Sequence, residues 1–298
     1  MKKGRIAGLA VIAVIVGGAY LVAQLYVDRI ADRRIGHFLT KLPEGTAVKY
    51  RSAGYDLWSG RVEMRDLRVA SKEAGEASIE GLTVAGFDKF HRVPHYVKVK
   101  VRGFTMRREK AQPPTRRWMD KLGYKSITVD VDYAYRYHPD KRLLVVERAR
   151  ISGPEVGTLV ISGQIGNVRS LDVRNFGDLI AIGMQSVVRG VTITFTDGSL
   201  TDRLIRAYAA ERGIDAEVYR AQLVRDIDGE MRRTKSANLR RQIQHVRAFV
   251  ARPSKMVVLV KPRNAVPIFL IATMPAPHMI QRSLGINVTT LPAAPGAR

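Results

Sequence analysis

The chain has 298 residues, a formal net charge of +23 with a pI near 10.6, an apolar fraction of 46% and no cysteine. That length suits one large domain or two ordinary ones with a true core, and the missing cysteine excludes disulfides, thiolate zinc sites and cysteine nucleophiles. So strong a positive balance calls for a polyanionic partner, nucleic acid or anionic lipid headgroups, or else for a heavily solvated surface.

Behind Met1-Lys2-Lys3-Gly4-Arg5, the 22 residues from Ile6 to Val27 carry Gln24 as their only strongly polar side chain. As a helix rising about 1.5 Å per residue they reach about 33 Å, enough to cross a bilayer core of roughly 30 Å. Tyr20 and Tyr26 fall toward the far interface, where amphipathic rings settle. An uncleaved anchor is favoured over a signal peptide cut near Gly17-Gly18-Ala19, because the apolar run continues past that point. Residues 1–27 are therefore expected to be a cytoplasmic tail and transmembrane anchor, holding the protein in the inner membrane as a single-pass protein with its C-terminal domain in the periplasm. Residues 28–42, with Ile30, Ile35, Phe38 and Leu39 at helical spacing, predict a juxtamembrane helix that Pro43-Glu44-Gly45 ends.

From residue 43 to 200 the period is two, which predicts an antiparallel β-rich region. In YDLWSGRVEMRDLRV the apolar parity moves from Val62 and Met64 to Leu67 and Val69, so Asp66 marks a bulge or turn. A strand follows over 77–87, and VKVKVRGFTMRR, residues 97–108, makes the same jump at Gly103. A Pro-containing connection with a short helix occupies 111–124. Ile127 to Tyr137 alternate along a strand that turns at His138-Pro139-Asp140-Lys141, predicting a hairpin. GTLVISGQIG and residues 187–195 are further strands.

Residues 201–291 read as helices packed on the sheet plus final strands. Thr201, Asp215 and Ser236 are the expected N-caps. Tyr219, Leu223, Ile227 and Met231 form one apolar stripe, and Leu239, Ile243, Val246 and Val250 another. KMVVLVKP is expected to be a buried strand, INVTTL the last strand, and 292–298 a flexible tail. The fold class is thus α+β: an N-terminal transmembrane helix, then a mostly antiparallel curved β-sheet with a C-terminal helical layer.

No phosphate-binding loop, Gly-x-Ser-x-Gly or dinucleotide fingerprint occurs. His91 and His95 in HRVPH could share a metal, but Pro94 lies between them and no third ligand is recognised beside them, so no metal site is assigned. Asp130 and Asp132 share a strand face among arginines and read as ordinary surface. The expectation is a protein that is not an enzyme, with no catalytic residues and no cofactor.

The charge is clustered. Lys89 to Trp118 hold ten Lys/Arg against Glu109 alone, and the 68 residues after Glu230 hold twelve Lys/Arg and no acid. Mixed signs are the norm for a merely soluble surface, so two basic faces are candidates for anionic-lipid binding: Lys98, Lys100, Arg102, Arg107 and Arg108, and then Arg232, Arg233, Lys235, Arg240 and Arg241. Solvation of the helical layer is the competing explanation. Lys98, Lys100 and Arg102 beside Tyr96 and Phe104 superficially suit a nucleic-acid platform, but no recognisable nucleic-acid module accompanies them.

The anchor followed by YDLWSGRVEMRDLRV and ASIEGLTVAGF resembles AsmA-like bacterial envelope proteins over about residues 1–170. Residues 124–168, and ARPSKMVVLVKP with the later Val-Pro, look like uncharacterised single-anchor envelope proteins of similar size. The resemblance implies a curved antiparallel sheet in the periplasm and a role in lipid handling; it transfers no functional residue. The expected function is therefore a non-catalytic, membrane-anchored envelope protein that binds lipid or envelope components through its sheet and basic faces. The alternatives are a structural or assembly component of an envelope or secretion complex, and a nucleic-acid-binding membrane-associated protein. Expected partners are membrane lipid, anionic lipid included, and envelope proteins.

Overall fold

The computed structural model describes residues 46–56, 61–71, 75–86, 88, 91, 93–171, 182–268 and 283–291. These form two compact units: residues up to His138 with Val146–Gly153, and Pro139–Val145 with Pro154 onward.

The first unit contains strands β1 (Thr46–Lys49), β2 (Ser52–Asp56), β3 (Arg61–Ser71), β4 (Gly75–Ala85), β5 (Tyr96–Ala111) and β6 (Ser126–His138), and helix α1 (Pro113–Leu122). All pairings are antiparallel: β3 to β6 follow one another in order, while β1 and β2 share the free edge of β3. Alternation dictates the burial. Val97, Val99 and Val101 are buried with at most 6% exposure, while Lys98, Lys100 and Arg102 between them are exposed. Each buried valine contributes about 1.5–3 kcal/mol, and Val62, Leu82, Val84, Val129 and Val131 join the same core.

The parity jumps sit where the residues predict them. Asp66 adopts φ 52° and Gly103 φ 60°, and the β5–β6 register slips by one residue between Val101 and Phe104. Asp130 Oδ1 accepts the N–H of Gly103 at 2.8 Å, so the bulge has its own hydrogen-bond partner on the neighbouring strand. α1 starts on Pro113 and stops at Gly123 (φ 69°), where the Gly123 and Tyr124 N–H groups return to the Asp120 and Met119 carbonyls. After His138 the chain turns as the hairpin signal predicts, Arg142 N–H donating to the Pro139 carbonyl.

Strand β7 (Leu143–Gly153) supplies Val146–Gly153 to the first unit, where Arg136 pairs with Glu147 and Arg148 with Asp132. The second unit holds β8 (Gly157–Gly166), β9 (Val187–Asp197), helices α2 (Leu200–Glu211), α3 (Ala216–Arg233) and α4 (Ala237–Ala251), and strands β10 (Lys255–Val260), β11 (Val266–Pro267) and β12 (Ile286–Leu291). Its strands run in the antiparallel order β8-β9-β10-β12, with β11 extending the pairing of β9.

The helices follow their caps. Asp215 accepts from the Glu217 and Val218 amides and Ser236 from the Leu239 amide. At α2, by contrast, Ser199 stands at the cap, and Asp197 Oδ1 takes both the N–H and the hydroxyl of Thr201. The stripe assigned to α4 also differs: Val246 is 36% exposed and the buried residues are Gln242 and Phe249. Gln242 Nε2 reaches the Ile286 carbonyl at 2.6 Å, and Thr290 bonds His245 through both its amide and its hydroxyl. A polar residue thus occupies the inner face because β12 offers it a backbone partner. The strand KMVVLV is half-buried rather than buried, with Leu259 40% exposed.

The expected transmembrane helix, and with it the single-pass inner-membrane placement, is corrected: among the described residues no helix is long and apolar enough to cross a membrane. The Ile6–Val27 stretch, the juxtamembrane segment 28–42 and the tail 292–298 lie outside the described residues. The antiparallel, β-rich character stands, carried by strands whose buried residues alternate.

Candidate functional site

The two basic faces meet different fates. On β5, Lys98, Lys100 and Arg102 project together from the exposed side. Their cross-strand neighbours dilute the charge: Lys100 lies opposite Asp132, and the Glu80 carboxyl packs over Gly103 next to Arg102. Asp132 itself pairs with Arg148 at 3.5 Å. Arg107 is exposed opposite Ser126, and Arg108 is hydrogen-bonded to Asp120 at 2.9 Å, a contact that raises the guanidinium pKa above its already high value. Lys110 is paired with Glu76. Salt bridges this exposed contribute at most about 1 kcal/mol each, but they turn the β5 face into a mixed-sign surface rather than a cationic one.

At the turn between α3 and α4 a groove is lined by cations with no acid among its lining residues. Met231, Arg232, Ala237, Arg240, Arg241 and Gln244 line one open groove of about 480 Å³. Arg232, Arg240 and Arg241 are all exposed. Arg233 pairs with Glu230 at 3.0 Å, which occupies the last acid in the chain. Lys235 is exposed on the connection beside the groove without lining it. The helix pair is held by two side-chain ties. Arg247 Nε meets Asp228 at 2.6 Å, which raises the Arg247 pKa, and Arg220 joins Asp202 at 2.6 Å and the Val250 carbonyl at 2.8 Å.

Helix electrostatics explain half of this charge. Arg232 and Arg233 stand in the last turn of α3, where cations suit the negative end of the helix. Arg240 and Arg241 lie near the start of α4, whose first turn contains no acid. As the fourth and fifth residues of the helix they lie at the edge of the dipole's reach, so helix electrostatics does not account for them.

A second constellation escapes a reading by sequence spacing. Asp88, His91 and His95 lie on the connection between β4 and β5, and their candidate ligand atoms are all within 4.8 Å of one another. Asp88 is buried, with a side chain only 6% exposed, and Oδ2 sits 2.6 Å from His91 Nδ1 and 3.9 Å from His95 Nδ1. The same oxygen accepts the His95 backbone N–H at 3.1 Å. The two imidazoles stack with centroids 3.7 Å apart, and the His95 ring meets Tyr137 edge-on. The loop is anchored from beneath by the Tyr135 hydroxyl, which donates to the buried Pro94 carbonyl at 2.7 Å. The available signal was Asp88 itself, three residues before His91, whose carboxylate supplies the third group that the histidine pair lacked. By contrast, Asp130 and Asp132 have structural employment, on the Gly103 amide and Arg148.

The described residues thus form an α+β architecture of antiparallel strands whose distinctive surfaces are an arginine groove and an Asp-His-His cluster. Residues 150–290, under half of the chain, match a protein family described only as "Uncharacterized protein". No curated protein matches the chain significantly.

Proposed function

We propose that the protein is a binding protein for phosphate-bearing lipid, and that the groove between α3 and α4 takes the headgroup. Arg240 and Arg241 carry the reading: two exposed cations that line one groove with Arg232, with no acid among the lining residues. Guanidinium forks match phosphate oxygens bidentately. The groove's apolar lining, Met231 and Ala237, suits the glycerol and first methylenes below a headgroup. A groove of about 480 Å³ with three arginines fits one headgroup rather than a run of phosphates, and none of its lining residues is aromatic, which disfavours stacked bases. The AsmA-like style of residues 1–170 supports the same class of ligand. In this reading the β5 face is secondary, because acids interrupt it.

Vesicle co-sedimentation of the full chain tests the proposal, comparing phosphatidylglycerol-containing with pure phosphatidylcholine vesicles. Each Lys or Arg near an anionic surface contributes about 1 kcal/mol. Arg240→Ala with Arg241→Ala should therefore lower the anionic partition coefficient roughly 30-fold while leaving neutral binding unchanged. Lys98→Ala with Lys100→Ala should have a markedly smaller effect. Equal binding to both vesicle types, or an undiminished preference in the arginine variant, would refute the proposal; tighter binding to a short DNA duplex than to anionic vesicles would favour the nucleic-acid alternative.

A further inference from the structure

We infer that Asp88, His91 and His95 form a binding site for a divalent transition-metal ion of the zinc type. The assignment is independent of the arginine groove. Two imidazole nitrogens and a carboxylate oxygen are the donor set that Zn2+ and its neighbours take, with metal–ligand bonds of about 2.0–2.2 Å. In a tetrahedral ion such bonds place neighbouring ligand atoms about 3.3 Å apart. The two Nδ1 atoms lie 2.6 and 3.9 Å from Asp88 Oδ2, on either side of that spacing, and binding requires the stacked rings to tilt so that both Nδ1 lone pairs meet the ion. His91 has the freedom to do so, since its side chain is 53% exposed.

Three polar groups converge on one buried oxygen. Asp88 Oδ2 faces His91 Nδ1, His95 Nδ1 and the His95 N–H together. A metal ion held by Asp88 Oδ2 and the two imidazole nitrogens would engage all three side chains. The loop is also preorganised for a ligand: the Asp88 N–H donates to the Tyr96 carbonyl, the His95 carbonyl accepts from the Tyr137 N–H, and Tyr135 holds Pro94. Backbone ties of this kind fix the ligands at both ends of the loop, as support around metal ligands requires. Three protein ligands at the protein surface leave a fourth tetrahedral position for water, the arrangement of an open rather than a closed site.

The test uses the untagged full chain, stripped with chelator and titrated with Zn2+ against a chromophoric zinc indicator, and in parallel with Co2+. The expected result is one tightly bound ion per chain, and with Co2+ the intense visible absorption of tetrahedral coordination. His91→Ala removes an exposed ring and should abolish both signals with an unchanged circular dichroism spectrum. Asp88→Asn should do the same, and His138→Ala should leave both intact. Absence of a stoichiometric ion in the unaltered protein, or retention of the cobalt spectrum in His91→Ala, would overturn the assignment.

Discussion

Gly103→Ala is the sharpest probe of the sheet in the first unit, because two penalties meet there and can be separated. Gly103 adopts φ 60° inside β5. An L-residue in that left-handed region costs about 1–2 kcal/mol. A methyl group would also stand 2.3 Å from the Glu80 Cδ and 2.5 Å from its Cγ. Glu80 is exposed and these atoms are the far end of its flexible side chain, so the clash is relieved by rotation at a cost of a few tenths of a kcal/mol. The predicted loss is thus about 1–2 kcal/mol, nearly all of it in the backbone. Trp118 stands in α1 of the first unit, so urea unfolding followed by tryptophan fluorescence reports on the affected region. Gly103→Asn should lose less, since asparagine tolerates the left-handed region better than alanine. Adding Glu80→Ala to Gly103→Ala should restore little. A neutral Gly103→Ala would refute the positive-φ argument, and full rescue by Glu80→Ala would show that crowding, not backbone conformation, sets the cost.

Two further outcomes follow from the ion pairs. Arg220 is 14% exposed and ties α2 to α3 through Asp202 and α3 to α4 through the Val250 carbonyl. Arg220→Met should cost about 1–3 kcal/mol by leaving those acceptors unmatched, seen as a lower midpoint in the helical circular dichroism melt; an unchanged midpoint would count against the tie. Glu76 has its carboxyl pKa lowered, first by the hydrogen bond from Lys110. Its folded-state value is below that of the unfolded chain, so its small stabilisation is present above the unfolded carboxylate pKa and is lost as pH falls through the folded value. In an NMR titration, Lys110→Met should move the Glu76 midpoint upward, and an unmoved midpoint would exclude the hydrogen bond as the cause.

Residues 97–101 alternate strictly, and the buried and exposed faces of β5 follow directly, because a strand turns successive side chains to opposite sides whatever lies next to it. The Asp66 and Gly103 irregularities were legible for the same reason: a change of apolar parity can be absorbed only by a backbone departure at that residue. Asp215 and Ser236 were legible as caps because a cap is satisfied by amides two or three residues away. The α4 stripe was not, since Gln242 is buried by a carbonyl on β12, 44 residues later.

Local pattern therefore determined the strands, their faces, two of the helix starts and the excess of positive charge. Tertiary structure decided where that charge matters. Pairing with β6 set Asp132 against Lys100 of β5, while the α3–α4 turn gathered Arg232, Arg240 and Arg241 in a groove with no acid in its lining. It also decided that Asp88 and two histidines converge, because the loop that carries them is held by Tyr135, 41 residues beyond Pro94. Periodicity acts over a few residues of chain, whereas charge neutralisation and ligand convergence are properties of neighbours in space, which only the folded pairing of distant segments creates.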